Sequence, residues 1–225
     1  MSNLKNIFIG KIYSSNNSGD FKVTDVKNNT CVEIEFVNTG YRKIVQACKI
    51  RTGSIKDPYN PIIYGLGFYG EGEYKSHIDG KTSIEYSRWY SIFERCYDPR
   101  VHAKTPRYKD CSVHPYWYNF QNFAKWFNEN KPDVEDMSVY DIDKDIKFKG
   151  NRIYSPKNCI IVHSSINQSY SNENKKLLFI KSPSNIVYPL TNVTRFAKEF
   201  GLQATLLWKV IKGERKHHRG WKTPV

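Results

Sequence analysis

Along this chain the spacing of apolar side chains changes period, and that change limits the fold more than any other feature of the sequence. Between residues 19 and 51 the period is two. Phe21-Lys22-Val23-Thr24-Asp25-Val26 and Val32-Glu33-Ile34-Glu35-Phe36-Val37 alternate apolar with polar residues, as half-buried strands do. Lys27-Asn28-Asn29 reads as the turn between them, Asn38-Thr39-Gly40 as a second turn, and Tyr41-Arg42-Lys43-Ile44-Val45 as a third strand. The expectation is a small, antiparallel, barrel-like unit. From residue 86 the period becomes helical. Tyr86, Trp89, Ile92, Phe93 and Cys96 share one face of a helix that Asp98-Pro99 closes. Phe120, Phe123, Ala124 and Phe127 repeat the spacing behind Asn119, a good helix cap. Both stripes read as core, and the acidic, polar segment 128–140 reads as a loop. A chain that switches period in this way is α+β.

Charge narrows the class of partner. The 225 residues carry 35 Lys and Arg against 22 Asp and Glu, a formal charge of +13. The excess is +3 over residues 1–75 (10 basic, 7 acidic) and +2 over 76–170 (14 and 12), but +8 over 171–225 (11 and 3). That last basic stretch is interleaved with apolar periodicity, so it reads as a folded module whose partner is a polyanion. No run approaches the ~20 apolar residues of a membrane span, and Met1-Ser2-Asn3-Leu4-Lys5 opens no secretory segment. Five cysteines without a C-x-x-C suit reduced thiols. Membrane-spanning and secreted classes are set aside, and a cytoplasmic location is expected.

Residues 52–82, rich in Gly, Pro and Tyr, read as a connector. Within them Gly65-Leu66-Gly67-Phe68-Tyr69-Gly70 matches a dinucleotide-binding fingerprint in letters only. That fingerprint needs a preceding strand, a helix starting inside it and a parallel sheet around it. Glu71-Gly72-Glu73 follows instead, so the glycines are expected to serve tight turns.

The stretch that carries chemistry begins at Tyr140-Asp141-Ile142-Asp143-Lys144-Asp145. It continues through Gly150-Asn151-Arg152-Ile153-Tyr154-Ser155-Pro156-Lys157-Asn158-Cys159 to Ile160-Ile161-Val162-His163 and Asn167. It reads as strand, turn, strand and helix start. His163 and Asn167, four apart, would share a face if both were helical. With Asp143 they offer hard ligands for one divalent cation, leaving positions for water and phosphate oxygens. The same residue types also suit plain structural duty: Asp143 and Asp145 as surface carboxylates, Asn158 and Asn167 as turn and cap residues. His102, His114, Cys96, Cys111 and Cys159 match no zinc knuckle in their spacing. Buried thiols are expected there, and no structural zinc.

In order and spacing, residues 84–170 resemble the HNH (His-Me finger, ββα-metal) endonucleases, especially the homing endonucleases encoded by phages and introns. Trp117, Phe120 and Phe123 ahead of the Asp-Lys-Asp, Gly-Asn, Tyr-Ser-Pro and Asn-Cys phrases are similar to a phage branch. The resemblance implies a central ββα-metal domain and a Mg²⁺ (or Mn²⁺) ion held by Asp143 and Asn167. It also implies that Asn158 ties the turn together. Lys144 stands where the family has the histidine that activates water. A lysine, charged at neutral pH, is a poor general base but a good counter-charge for a phosphate in its transition state. Tyr154 or His163 would then take the water's proton. A related restriction-enzyme branch carries Arg at this position.

Near the end of the chain, Thr191-Asn192 can cap a helix with Val193, Phe196, Ala197 and Phe200 inward, and Gly201 ends it. A second helix follows, with Leu206, Leu207, Val210 and Ile211 inward and Gly213 at its end, making a helix-turn-helix. The segment 186–222, with Glu214-Arg215-Lys216-His217-His218-Arg219-Gly220-Trp221, resembles the repeat that closes many intron-encoded endonucleases. On that resemblance Gln203, Thr205 and Lys209 would face base edges of double-stranded DNA. Lys212, Arg215, Lys216 and Arg219 would meet phosphates.

The expected layout is a small N-terminal antiparallel β domain (1–65), a connector (66–82), an HNH-like ββα-metal domain (83–172) and a helix-turn-helix (173–225). The expected activity is DNA endonuclease or nickase. The competing readings are a catalytically degenerate DNA-binding regulator of the same ancestry and a protein-binding inhibitor that uses the β domain.

Overall fold

A computed structural model describes residues 6–165, 167, 178–190 and 192–224. The architecture is α+β and divides into two compact units, Met1–Glu73 with Tyr118–Gln121 and Tyr74–Trp117 with Asn122–Val225. The expected boundary at 172/173 and the expected cap Thr191 lie outside the described residues.

In the first unit, strands β1 (Ile12–Ser14), β2 (Asp20–Asn28), β3 (Cys31–Phe36) and β4 (Arg42–Val45) form one antiparallel sheet in chain order. The alternation works as written. Phe21, Val23, Val32, Ile34 and Phe36 are buried together, while Lys22 and Glu35 pair on the other face. Fully burying each such side chain contributes about 1.5–3 kcal/mol. Strand β2 runs through Lys27 and Asn28, and the turn falls one residue later, where the Asn28 Oδ1 accepts the Thr30 N–H at 2.9 Å. The barrel is corrected to an open meander, since among the described residues β1 pairs only with β2 and β4 only with β3. The edge strand β1 has three residues, and β4 passes almost directly into helix α1 (Ala47–Thr52), whose Ala47 and Ile50 join the sheet's core instead. In the connector Gly65 and Gly70 have φ of 70° and 72°, and Ile63 bridges to Gly67, so the glycines make turns.

The second unit opens with a minimal hairpin, β5 (His77–Ile78) and β6 (Lys81–Thr82). The Ser83 Oγ accepts the Tyr86 N–H at the start of α2 (Ile84–Tyr97). Asp98, read from sequence only as a terminator, ends α2 and also caps α3 (Pro99–Lys104), with Pro99 at the first helical position. A 3₁₀ turn, Pro106–Tyr108, follows, then β7 (Ser112–Val113) and helix α4 (Phe120–Asn130). Trp89, Phe93, Trp117, Phe123 and Phe127 are essentially buried, and the Trp89 indole donates to the Trp117 carbonyl at 2.7 Å. Strands β8 (Tyr140–Asp143) and β10 (Ile160–His163) pair antiparallel, and residues 164, 165 and 167 are helical. Between those two strands β9 (Ile153–Tyr154) pairs in parallel with β7.

A ribbon of β11 (Leu178–Lys181) and β12 (Val187–Leu190) then leads to α5 (Val193–Glu199) and α6 (Ala204–Ile211). The Asn192 Oδ1 accepts the Arg195 N–H to cap α5, and Gly201, at φ 64°, turns the chain between the helices. Among the described residues no helix is long and apolar enough to cross a membrane. All five cysteines are free thiols, with Cys96, Cys111 and Cys159 buried.

Candidate active site

Asp143 closes strand β8, opposite Ile160 of β10. Its Oδ1 accepts two backbone N–H groups, from Asp145 at 2.8 Å and from Ile146 at 2.7 Å, so the chain turns about the carboxylate. Burial and then the nearby Asp145 charge push the Asp143 carboxyl up to about 6, against the pull of those two N–H bonds. Asp143 lines a cavity of about 450 Å³ together with Asp141, Lys144, Asp145, Tyr154 and Asn167. The Asp and Asn expected to hold an ion, 24 positions apart in the chain, therefore open on one space. Among the described residues no three His, Cys, Asp or Glu side chains gather to hold a metal. The donor set is one carboxylate and one carboxamide with further carboxylates nearby. That sparse, all-oxygen set fits Mg²⁺, which keeps several waters and takes one or two carboxylates.

Lys144 is buried. Its ammonium lies 3.4 Å from the Asp145 Oδ2 and 5.6 Å from the centre of the Tyr154 ring. Asn158 spans the turn between the strands, donating from Nδ2 to the Asn151 Oδ1 at 2.9 Å and to the Ile153 carbonyl at 3.3 Å. Asn151 in turn donates to the Lys144 carbonyl at 2.7 Å, a link that the Gly-Asn phrase contained without announcing its partner.

The two residues expected to take the proton sit less favourably. Burial pushes the Tyr154 hydroxyl well above the ordinary phenol value, although the Arg95 guanidinium beside it pulls the other way, so it remains a phenol at neutral pH. The shared helical face of His163 and Asn167 is corrected. The β-branched run Ile160-Ile161-Val162 extends strand β10 through His163, and the helical residues begin only at 164. His163 pairs with Tyr140, three positions from Asp143 along β8, an odd offset that sends its side chain to the ribbon's other face. There its ring packs edge-on against Tyr140, and its Nδ1 lies 2.8 Å from the Ser165 Oγ.

Three arginines outside the sequence pattern also line the cavity: Arg95 from α2, Arg107 from the 3₁₀ turn and Arg152 just before β9, with Tyr108 beside them. They come from three separate stretches, and no local spacing marks them.

In the C-terminal module, Gln203, Thr205, Lys209, Lys212, Arg215, Lys216 and Arg219 are all exposed. Two of them also brace the fold: Arg219 donates to the Gly201 carbonyl at 2.9 Å and Arg215 to the His217 carbonyl at 2.7 Å. Buried His218 accepts the Gln203 N–H on Nε2 at 3.1 Å, at the start of α6. Its pKa is lowered by burial first, then by the charges of Arg215 and Arg219. Trp208, for which the sequence suggested no part, is 41% exposed between Thr205 and Lys209.

Compared with known proteins, the chain matches no family model, no curated protein and no solved structure.

Proposed function

We propose that the chain is a divalent-metal-dependent DNA endonuclease or nickase of HNH type, held on its target by the C-terminal helix pair. One observation carries this reading: Asp143 and Asn167 open on the same cavity, beside Lys144 and among arginines. Asp143 and Asn167 would hold Mg²⁺ or Mn²⁺, which supplies charge neutralisation at a phosphodiester and a more acidic bound water. Lys144, buried beside Asp145, contributes fixed positive charge where the phosphorane would form. Asp145, on the cavity wall, would accept the water's proton more readily than Tyr154, whose hydroxyl holds its own proton, or His163, which lies on the ribbon's other face. Hydrolysis adds water across one P–O bond, leaving a phosphate monoester and a hydroxyl. The exposed cations of α6 and the loop after it supply affinity through the DNA backbone.

A second reading has an observation of its own. Lys144 pairs with Asp145 and two N–H groups hold the Asp143 Oδ1, contacts within the chain that a DNA-binding regulator of nuclease ancestry would keep without an ion. Supercoiled plasmid separates the two. The nuclease nicks it with Mg²⁺ or Mn²⁺ and not with EDTA, and Asp143→Ala or Asn167→Ala lowers the rate by about 10²-fold or more, the usual scale for removing charge stabilisation. Tight DNA binding by the wild-type chain with no nicking under either metal selects the regulator.

A further inference from the structure

The cavity's second set of side chains has no counterpart in the Asp-Lys, Asn, Asn pattern. Arg95, Arg107 and Arg152 converge on it, and among the described residues none of the three makes a salt bridge, although Asp141, Asp143 and Asp145 line the same space. They are held by other means. The Arg95 and Arg107 guanidinium carbons lie 5.9 Å and 5.2 Å from the centre of the Tyr108 ring, so one aromatic ring orients both. The Arg107 carbonyl accepts a hydrogen bond from the Arg152 guanidinium at 2.9 Å, which ties the two loops together. With Lys144 the cavity has four cationic side chains against three carboxylates, before any metal ion is counted.

Guanidinium groups present five N–H donors each in a planar fork that suits the paired oxygens of a phosphate. One bidentate arginine already spans both non-bridging oxygens of a phosphodiester. Three arginines side by side can therefore serve more than one phosphate of a continuous backbone.

We propose that Arg107 and Arg152, braced by Tyr108, clamp the DNA phosphates next to the one being cut, and that Arg95 faces the scissile phosphate itself. This clamp rests on the reading of the chain as a DNA-binding nuclease, and it gives the cavity its substrate class: a polymer backbone and not a mononucleotide.

Arg107 and Arg152 are both exposed, so alanine at either leaves the core untouched. The test uses the full chain with a fluorescein-labelled 30-base-pair duplex in metal-free buffer, measuring affinity against salt concentration. Each lost phosphate contact removes about 0.9 from the log–log slope. The Arg107→Ala/Arg152→Ala pair should therefore flatten the slope by about 1.8, and Lys at both positions should restore most of it. With Mg²⁺ and saturating protein, the Ala pair should also nick plasmid about tenfold more slowly or worse, through mispositioning. An unchanged slope overturns the clamp, whatever the chain does to plasmid. A flattened slope with no nicking by the wild-type chain leaves the clamp standing and removes the nuclease. Wild-type binding too weak to measure removes both.

Discussion

The carboxyl of Asp143 is raised from 3.8 to about 6 because it is buried beside a second carboxyl. Between those two values the folded chain holds a proton that the unfolded chain has released, so stability falls as pH rises through the window. At neutral pH the ionised Asp143 is a strained charge. Asp143→Asn keeps an oxygen for the Asp145 and Ile146 N–H groups and removes the charge. The variant should melt roughly 2–4 °C higher at pH 7.5, a gain of about 1 kcal/mol in a chain of this size. The gain should shrink as pH falls below 6 and disappear by about pH 3, where Asp143 is neutral in both states, while nicking is lost at every pH. Equal melting at pH 7.5, or a gain that does not vary with pH, contradicts the assignment of Asp143 as the strained carboxylate.

At the scale of the element, helix α6 turns a stripe outward. Thr205, Trp208, Lys209 and Lys212 fall at i, i+3, i+4 and i+7, while Leu207 and Val210 are buried. Lys209→Ala and Lys212→Ala should each flatten the salt dependence of DNA binding by about 0.9. Trp208→Ala should weaken binding by about 1–3 kcal/mol with the slope unchanged, since an aromatic face adds stacking or methyl contact and no charge. A Trp208→Ala chain that binds as tightly as wild type takes this face of α6 off the DNA. His218 sets the helix's pH range. Its lowered pKa means that the unfolded chain takes up a proton first as pH falls from the ordinary value of 6.5, so the module loses stability on acidification. His218→Gln should melt lower than wild type at pH 7.5 yet decline less between pH 7.5 and 5. A decline equal to that of wild type contradicts the link. Sequence reading reached α2, α4, α5, α6 and β2 to β4 because each has enough turns or alternations to set a period. It missed β1, β5, β6, β7 and β9, with two or three residues each, the four-residue β11 and β12, the six-residue α1, and α3, hidden behind a Pro that starts a helix as readily as it ends one. His163 was misplaced because spacing by four has meaning only inside a continuous helix. Arg95, Arg107 and Arg152 were invisible because their meeting is tertiary.

For the whole molecule, chain order and unit boundaries disagree at one place. Tyr118–Gln121 lies within the central segment in sequence, yet belongs with Met1–Glu73. The Phe68 N–H donates to the Tyr118 carbonyl at 2.8 Å, and the Phe120 N–H donates to the Phe68 carbonyl at 2.9 Å. Tyr69 stacks on fully buried Phe120 with ring centres 5.3 Å apart. Gly70 has no side chain because the Asn119 carboxamide fills the place of one. A chain cut at the compact unit's edge, 74–225, forfeits both backbone bonds and the cover on Phe120. At about 1 kcal/mol per bond and about 1.5–3 for the ring, that is roughly 3–5 kcal/mol. A chain cut at the boundary legible in sequence, 66–225, keeps Phe68, Tyr69 and Gly70 beside Tyr118, Phe120 and Asn119, although it loses the Gly70 N–H bond to the Pro58 carbonyl and the Tyr59 ring on Phe68. The shorter chain should therefore melt roughly 6–20 °C below the longer one, on the scale of about 2–4 °C per kcal/mol. Replacing Phe120 by Ala should lower the melting point of 66–225 and scarcely alter that of 74–225, because only the longer chain has Tyr69 to lose. If the two truncations melt together, residues 118–121 take nothing from the segment around Phe68, and the chain from residue 74 onward stands alone.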